Sequence, residues 1–357
     1  MDSPSTAILK SEPSTHDIVP SDTAPTSATE RGQSMTMTPE QASWFSSVFE
    51  RLVSNVDQVL LGKAHIIRLS LTALFSEGHL LLEDFPGTGK TSLARAIAQS
   101  VRGTSNRVQF TPDLLPGDIT GVNIYDQRTG NFEFHRGPVF ANIVLADEIN
   151  RASPKTQSAL LEVMEEGQVT VDGVTHPVAG PFMVIATQNP IEQAGTYRLP
   201  EAQLDRFIMK ASIGYPDHEA TIRILEGSER RAHEVVVPEI VPAGTVVEMA
   251  ALARGVHVDA SINDYVSRLV DATRTASEVR LGASVRGALA LLRTSKTLAA
   301  ANGRYYVTPD DVKALAEPVL AHRLVLDPEA EFEGVTASSI IAQILIETAP
   351  PIDRPAV

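Results

Sequence analysis

The chain has 357 residues, 43% hydrophobic and 21% charged, with a formal charge of −14. That length can hold two domains and a real apolar core. The absence of cysteine excludes disulfides and thiolate metal sites, and the acidic balance argues against tight, sequence-blind binding to nucleic acid or anionic membrane, which needs basic surface.

Residues 1–37 are rich in Ser, Thr and Pro without a hydrophobic period, so a disordered tail is expected there. They contain no signal-peptide core, and no segment approaches the roughly 20 apolar residues of a membrane span. The expectation is a soluble, cytoplasmic protein. Order is predicted to begin at Thr38. Thr38-Pro39-Glu40-Gln41 combines an N-cap residue, proline at the first helical position and Gln three residues after the cap. Trp44, Phe45, Val48, Phe49 and Leu52 follow at helical spacing. A second helix over 64–76 leads into the apolar strand His79-Leu80-Leu81-Leu82. Further strands are predicted near 107–110, 143–146, 182–186 and 207–213, mostly with helices between them. Runs such as Ile143-Val144-Leu145-Ala146 imply a sheet covered on both faces, hence a parallel α/β layer. Two inserts interrupt it. One, over 121–134, turns at Asp126–Gly130; the other, over 168–177, turns at Asp172-Gly173, a strong hairpin signal. After Tyr215-Pro216-Asp217 helical periodicity dominates, over 265–275, 285–300, 309–320 and 338–346. The expected organisation is an α/β domain over 38–215 and a smaller helical domain over 216–357 with a short disordered end.

The chemistry gathers at three strand ends. Asp84-Phe85-Pro86-Gly87-Thr88-Gly89-Lys90-Thr91 follows an apolar strand and opens an amphipathic run beginning at Ser92, the setting of a phosphate-binding loop. Gly87 and Gly89 let backbone N–H groups curl around phosphate oxygens, and the helix N-terminus adds partial positive charge. Lys90 is placed to neutralise the β- and γ-phosphates of ATP, and the Thr91 hydroxyl to bind Mg²⁺. The strict pattern has glycine where this chain has Asp84, and a carboxylate is unwelcome beside phosphates unless it points away. Downstream, the buried strand before Asp147-Glu148 sets two carboxylates at the same edge of a parallel sheet. Asp147 is expected to hold Mg²⁺ and Glu148 to orient and polarise the attacking water. An isolated Asp-Glu pair is more often a solvated turn; the apolar strand before it and the phosphate loop upstream favour the catalytic reading. A third strand ends in Thr187-Gln188-Asn189-Pro190, where the Asn189 amide can reach the γ-phosphate or the lytic water, although Asn-Pro is also a routine turn signal.

The segments 82–91, 147–152, 186–190 and 199–207, with 109–116, 282–286 and 320–323, together resemble the MoxR family of AAA+ ATPases over most of the chain. The resemblance implies a P-loop α/β fold with a parallel five-stranded sheet flanked by helices, followed by an all-helical lid. It implies kinship with magnesium-chelatase ATPase subunits and assembly into rings, usually hexamers, with each nucleotide at a subunit boundary. It assigns the two inserts as the helix-2 and pre-sensor hairpins, Asn189 as sensor 1, Arg206 as an arginine finger reaching a neighbour's ATP, and Arg286 as the sensor-2 arginine of the lid. Arg151 and Arg136 are rivals for the finger. Such proteins commonly act as chaperone-like factors with von Willebrand A-domain partners, maturing client proteins or inserting metal into them. Val285 stands where proline is common. Two other classes are a nucleic-acid motor, disfavoured by the acidic balance and the lack of a basic, aromatic-interleaved stretch, and a nucleotide-binding scaffold without turnover, disfavoured by the intact Asp147, Glu148 and Asn189. His135, His176 and His322 have no partner at metal-ligand spacing.

Overall fold

Five short segments form one parallel sheet: β1 (Leu80–Glu83), β2 (Ser105–Gln109), β3 (Ile143–Asp147), β4 (Met183–Gln188) and β5 (Met209–Ala211). The structure is a computed structural model describing residues 36–85, 87–189, 196–216, 218–228 and 237–351. Residues 1–35 of the expected tail over 1–37, with Pro86, Pro190, Asp217 and residues 352–357, lie outside the described residues. The strands run in the order β2-β3-β4-β1-β5, with Leu80 opposite Ile185 on one side and Met209 on the other. Every residue of β3 is buried, and β4 is buried as far as Thr187. This is why both read as unbroken apolar runs.

Alternate side chains serve the two faces. Leu80, Leu82, Ile143, Leu145 and Ile185 face the helices Pro39–Asp57, Ala64–Phe75 and Lys90–Ser100. Leu81, Val144, Ala146 and Val184 face the helix Pro154–Glu166 and the inserts. The first helix starts with the predicted capping box, Gln41 N–H to Thr38 Oγ1 at 3.2 Å and Thr38 N–H to Gln41 Oε1 at 2.9 Å. The packed part of the chain includes Met37, one residue before the expected start at Thr38. Met37 is buried, and its N–H donates to the Gly255 carbonyl at 2.8 Å, since an apolar side chain at that place covers the end of the core.

Both inserts are hairpins, Gly121–Asp126 with Asn131–Arg136 and Gln168–Val171 with Val174–Pro177. Asp172 and Gly173 have φ of 49° and 79°, as a two-residue turn demands. The hairpins touch: Asn123 donates to Asp172 at 2.6 Å, and the Phe134 ring stacks on His176 at 4.0 Å between centroids.

Beyond β5 come the helices His218–Ser228, Ala243–Arg254, Ala260–Thr275, Val285–Ala301, Pro309–Leu320 and Ala337–Glu347. This part also carries a two-stranded antiparallel ladder, Val279–Leu281 with Val325–Leu326. Its core is continuous with that of the α/β part: one buried cluster runs from Phe45, Phe49 and Phe75 to Leu291, Ala300 and Leu315. The aromatic trio packs ring to ring, Phe45 and Phe75 at 5.4 Å edge-on.

Candidate active site

β1, β3 and β4 end at the same edge of the sheet, so the segments that follow them converge there. β1 passes into Asp84, which is 2% exposed. Its carboxylate turns away from the loop and accepts three hydrogen bonds, from Ser212 Oγ at 2.9 Å, Ile213 N–H at 2.5 Å and Gly214 N–H at 3.0 Å. This also shortens the expected strand over 207–213, because residues 212–214 spend their donors on Asp84 instead of on β1. Phe85 stacks on Tyr215 at 5.8 Å. Gly87 and Gly89 have φ of 82° and 95°, a region closed to most side chains. Thr88 Oγ1 donates to the Phe85 carbonyl at 3.3 Å.

The helix Lys90–Ser100 begins at Gly89 with no side-chain cap, so the N–H groups of its first turn remain available to an anion. Lys90 Nζ folds back to the Asp84 carbonyl at 3.1 Å, and Thr91 and Ser92 are exposed beside it. Open N–H groups, a lysine over the loop and two left-handed glycines fit a polyphosphate.

At the end of β3, Asp147 Oδ1 accepts from Thr187 Oγ1 at 2.6 Å. Its Oδ2 accepts from Arg107 Nη2 at 2.7 Å. Thr187 Oγ1 accepts in turn from the Glu148 N–H at 2.9 Å, so one buried hydroxyl fixes both acidic residues. Glu148 is left-handed, φ 57° and ψ 49°, a conformation costing about 1–3 kcal/mol for a residue other than glycine. Its carboxylate meets Gln109 Nε2 at 2.8 Å and Arg151 Nε at 3.1 Å. Asn189, 9% exposed, follows β4 and lines a cavity of about 920 Å³ with Asn150, Lys210 and His322. Asp147 with Thr91 is an oxygen donor set that suits Mg²⁺.

The two predicted arginines lie together at the other edge. Arg206 Nη2 meets Glu165 Oε2 at 2.9 Å, and Arg286 Nη2 meets Glu165 Oε1 at 2.5 Å. Arg206 precedes β5, and Glu165 follows Met164, whose carbonyl pairs with His79 just before β1. The length of β1 with its flanking residues, roughly 15 Å at about 3.3 Å per residue, separates the arginines from the phosphate loop of their own chain. The rival Arg136 lies over the Phe140 ring.

Residues 79–209, from the start of the sheet to β5, match the family described as "ATPase family associated with various cellular activities (AAA)", and 271–344 match "AAA lid domain". The Chaperone MoxR1 of Mycobacterium tuberculosis is 41% identical over 85% of this chain and 82% of its own length. The chain belongs to the MoxR family of AAA+ ATPases. Another relative, YeaC of Bacillus subtilis, is 47% identical over 86% of this chain and 96% of its own. A solved structure from Cytophaga hutchinsonii, 40% identical, superposes with a TM-score of 0.82 over 88% of this chain and 98% of that one. MoxR-type motifs alone did not reveal Arg107, Gln109, Glu165 or Arg323. Gln109, Thr187 and Arg323 stand inside motif segments, yet only their hydrogen bonds give them a role. The others are joined to the site by tertiary contacts that leave no local pattern.

Proposed function

We propose that this chain is a magnesium-dependent ATPase that assembles into a ring, a hexamer on the family pattern, each complete active site drawing on two neighbouring subunits. The observation that carries the reading is the division of the machinery between opposite edges of one sheet. Lys90, Asp147, Glu148 and Asn189 share one edge, and Arg206 and Arg286 share the other.

The Gly87–Gly89 turn and the helix N-terminus hold the phosphates, with Lys90 supplying positive charge. Thr91 and Asp147 hold Mg²⁺, and to take that role Asp147 must exchange its Arg107 partner. Bound Mg²⁺ neutralises phosphate charge and orients the phosphate chain. Glu148 orients and polarises water, Asn189 steadies the same region, and the next subunit's Arg206 and Arg286 face the charge that develops. The output is chaperone-like remodelling of client proteins, in line with the name of the Mycobacterium relative. A von Willebrand A-domain partner, metal insertion into the client and work in the cytoplasm complete the proposal. Among the described residues no helix is long and apolar enough to cross a membrane.

The test is Glu148→Gln. Loss of the carboxylate is expected to cut ATP turnover at least about a hundredfold while ATP binding, held by Lys90 and the loop, stays within about twofold. Both are measured separately on the purified variant, and wild-type turnover would remove Glu148 from the catalytic role.

A further inference from the structure

Glu165 ends a long helix, and each of its carboxylate oxygens holds a different guanidinium, Arg206 Nη2 at 2.9 Å and Arg286 Nη2 at 2.5 Å. A simple structural ion pair joins one cation to one anion. Here one carboxylate gathers two cations from distant parts of the chain and leaves the trio with net positive charge. We propose that Glu165 is a positioning residue for the trans-acting arginines: it holds Arg206 and Arg286 as one preassembled pair and yields them to the phosphates of a neighbouring subunit's nucleotide. The inference rests on the reading that these arginines act across the boundary.

The three pieces that meet at Glu165 are each fixed from behind. Buried His79 holds the Met164 carbonyl at 2.9 Å, setting the end of the helix that carries Glu165. Arg323, itself buried, meets Asp205 Oδ1 at 2.7 Å and the Phe207 carbonyl at 2.8 Å, setting the segment that carries Arg206. Ser284, the N-cap of the helix that carries Arg286, donates to Asp205 Oδ2 at 3.0 Å. Asp205 thereby ties the two arginine-bearing segments to each other. Two guanidiniums on one anion repel once that anion is removed, so the carboxylate sets their spacing.

The trio is also able to open. The Arg206, Glu165 and Arg286 side chains are 29%, 36% and 48% exposed, and they line a cavity of about 690 Å³ together with Arg293, Lys296 and the Arg254–Glu77 ion pair, so that cations outnumber carboxylates in its wall. A triphosphate, with several negative charges, competes there with a single carboxylate for both arginines. The cost of bringing the two guanidiniums together is met in the free subunit, which is the use of preorganisation.

The experiment mixes subunits. Glu165→Ala is expected to lower turnover between about tenfold and a hundredfold, since misplaced catalytic groups cost this much, with ATP affinity unchanged because the phosphate loop is intact. Its defect then lies on the arginine side of the boundary. Mixed with Lys90→Ala it regains activity; mixed with Arg206→Ala it does not. The Arg206→Ala and Lys90→Ala mixture is run alongside, in rings shown by a separate label to be mixed. If that control pair fails to recover, the trans-acting reading itself falls. If it recovers while Glu165→Ala and Lys90→Ala do not, or if Glu165→Ala turns over ATP like wild type, only the role of Glu165 is overturned. Should the alanine variant not fold, Glu165→Gln, which keeps the volume and removes the charge, is read by the same outcomes.

Discussion

At Asp84 the chain departs from the strict phosphate-loop pattern, which has glycine there, and its three hydrogen-bond donors account for the departure. Ser212 Oγ and the N–H groups of Ile213 and Gly214 all end on this carboxylate, anchoring the root of the loop to the segment after β5. Restoring the pattern with Asp84→Gly leaves these donors without their acceptor in a largely buried place. The expected loss is about 2–3 kcal/mol of stability, read from chemical denaturation, with no gain in ATP affinity. A variant as stable as wild type would show that the anchor is dispensable. Thr187 works in the same local manner, one hydroxyl serving Asp147 and the Glu148 N–H, and it stabilises Glu148 in a conformation that few residues adopt.

Three elements are stitched together by His79. Its Nδ1 accepts from the Val184 N–H of β4 at 3.0 Å, and its Nε2–H donates to the Met164 carbonyl at the end of the Pro154–Glu166 helix, while the residue itself leads into β1. Burial pulls its pKa down to about 4 from 6.5, because the charged imidazolium is desolvated there. The unfolded chain therefore binds a proton below pH 6.5 that the folded chain refuses until about pH 4. The contribution is complete above the unfolded value and falls away as pH drops through this window. Between pH 7 and pH 5 it amounts to about 2 kcal/mol. Urea titrations at the two pH values should show this loss in wild type, and less of it in His79→Asn; an equal loss in both would refute the assignment. Much at this scale was legible beforehand. The Thr38 cap, the Asp172-Gly173 turn and the helix Pro309–Leu320 are local signals and fall where the sequence put them. The polar strand Ser105–Gln109, exposed except at Val108, is an edge strand with no alternation to read, so its predicted start was two residues late. The helix Ala243–Arg254 mixes small and apolar residues without a clear stripe and was not foreseen. The meeting of Arg206, Glu165 and Arg286 depends on packing between segments far apart in sequence, which no local pattern encodes.

On the scale of the whole molecule, the lid and the α/β part differ in sequence character but share one apolar interior, and polar contacts cross between them. Ser76 and Thr297 hydroxyls meet at 2.8 Å with both residues buried, and Ser46 Oγ donates to the Ala301 carbonyl at 2.8 Å. A chain built this way should melt as one cooperative unit. A fragment of residues 36–216 should be insoluble or partly unfolded, because Phe45, Phe49 and Phe75 lose part of their cover. Calorimetry of the full chain and expression of the fragment check this, and two separate transitions would contradict it. The shared interior also bears on modularity. In a protein whose domains meet only at a hinge, recombination can exchange one domain and leave the other intact. Here a lid taken from another ring ATPase would bring a foreign surface to the first two helices, and Ser46, Phe49 and Ser76 would have to be exchanged with it. Lineages of such proteins should then trade these helices and the lid as one inherited block, despite the entire nucleotide-binding sheet lying between them in the chain.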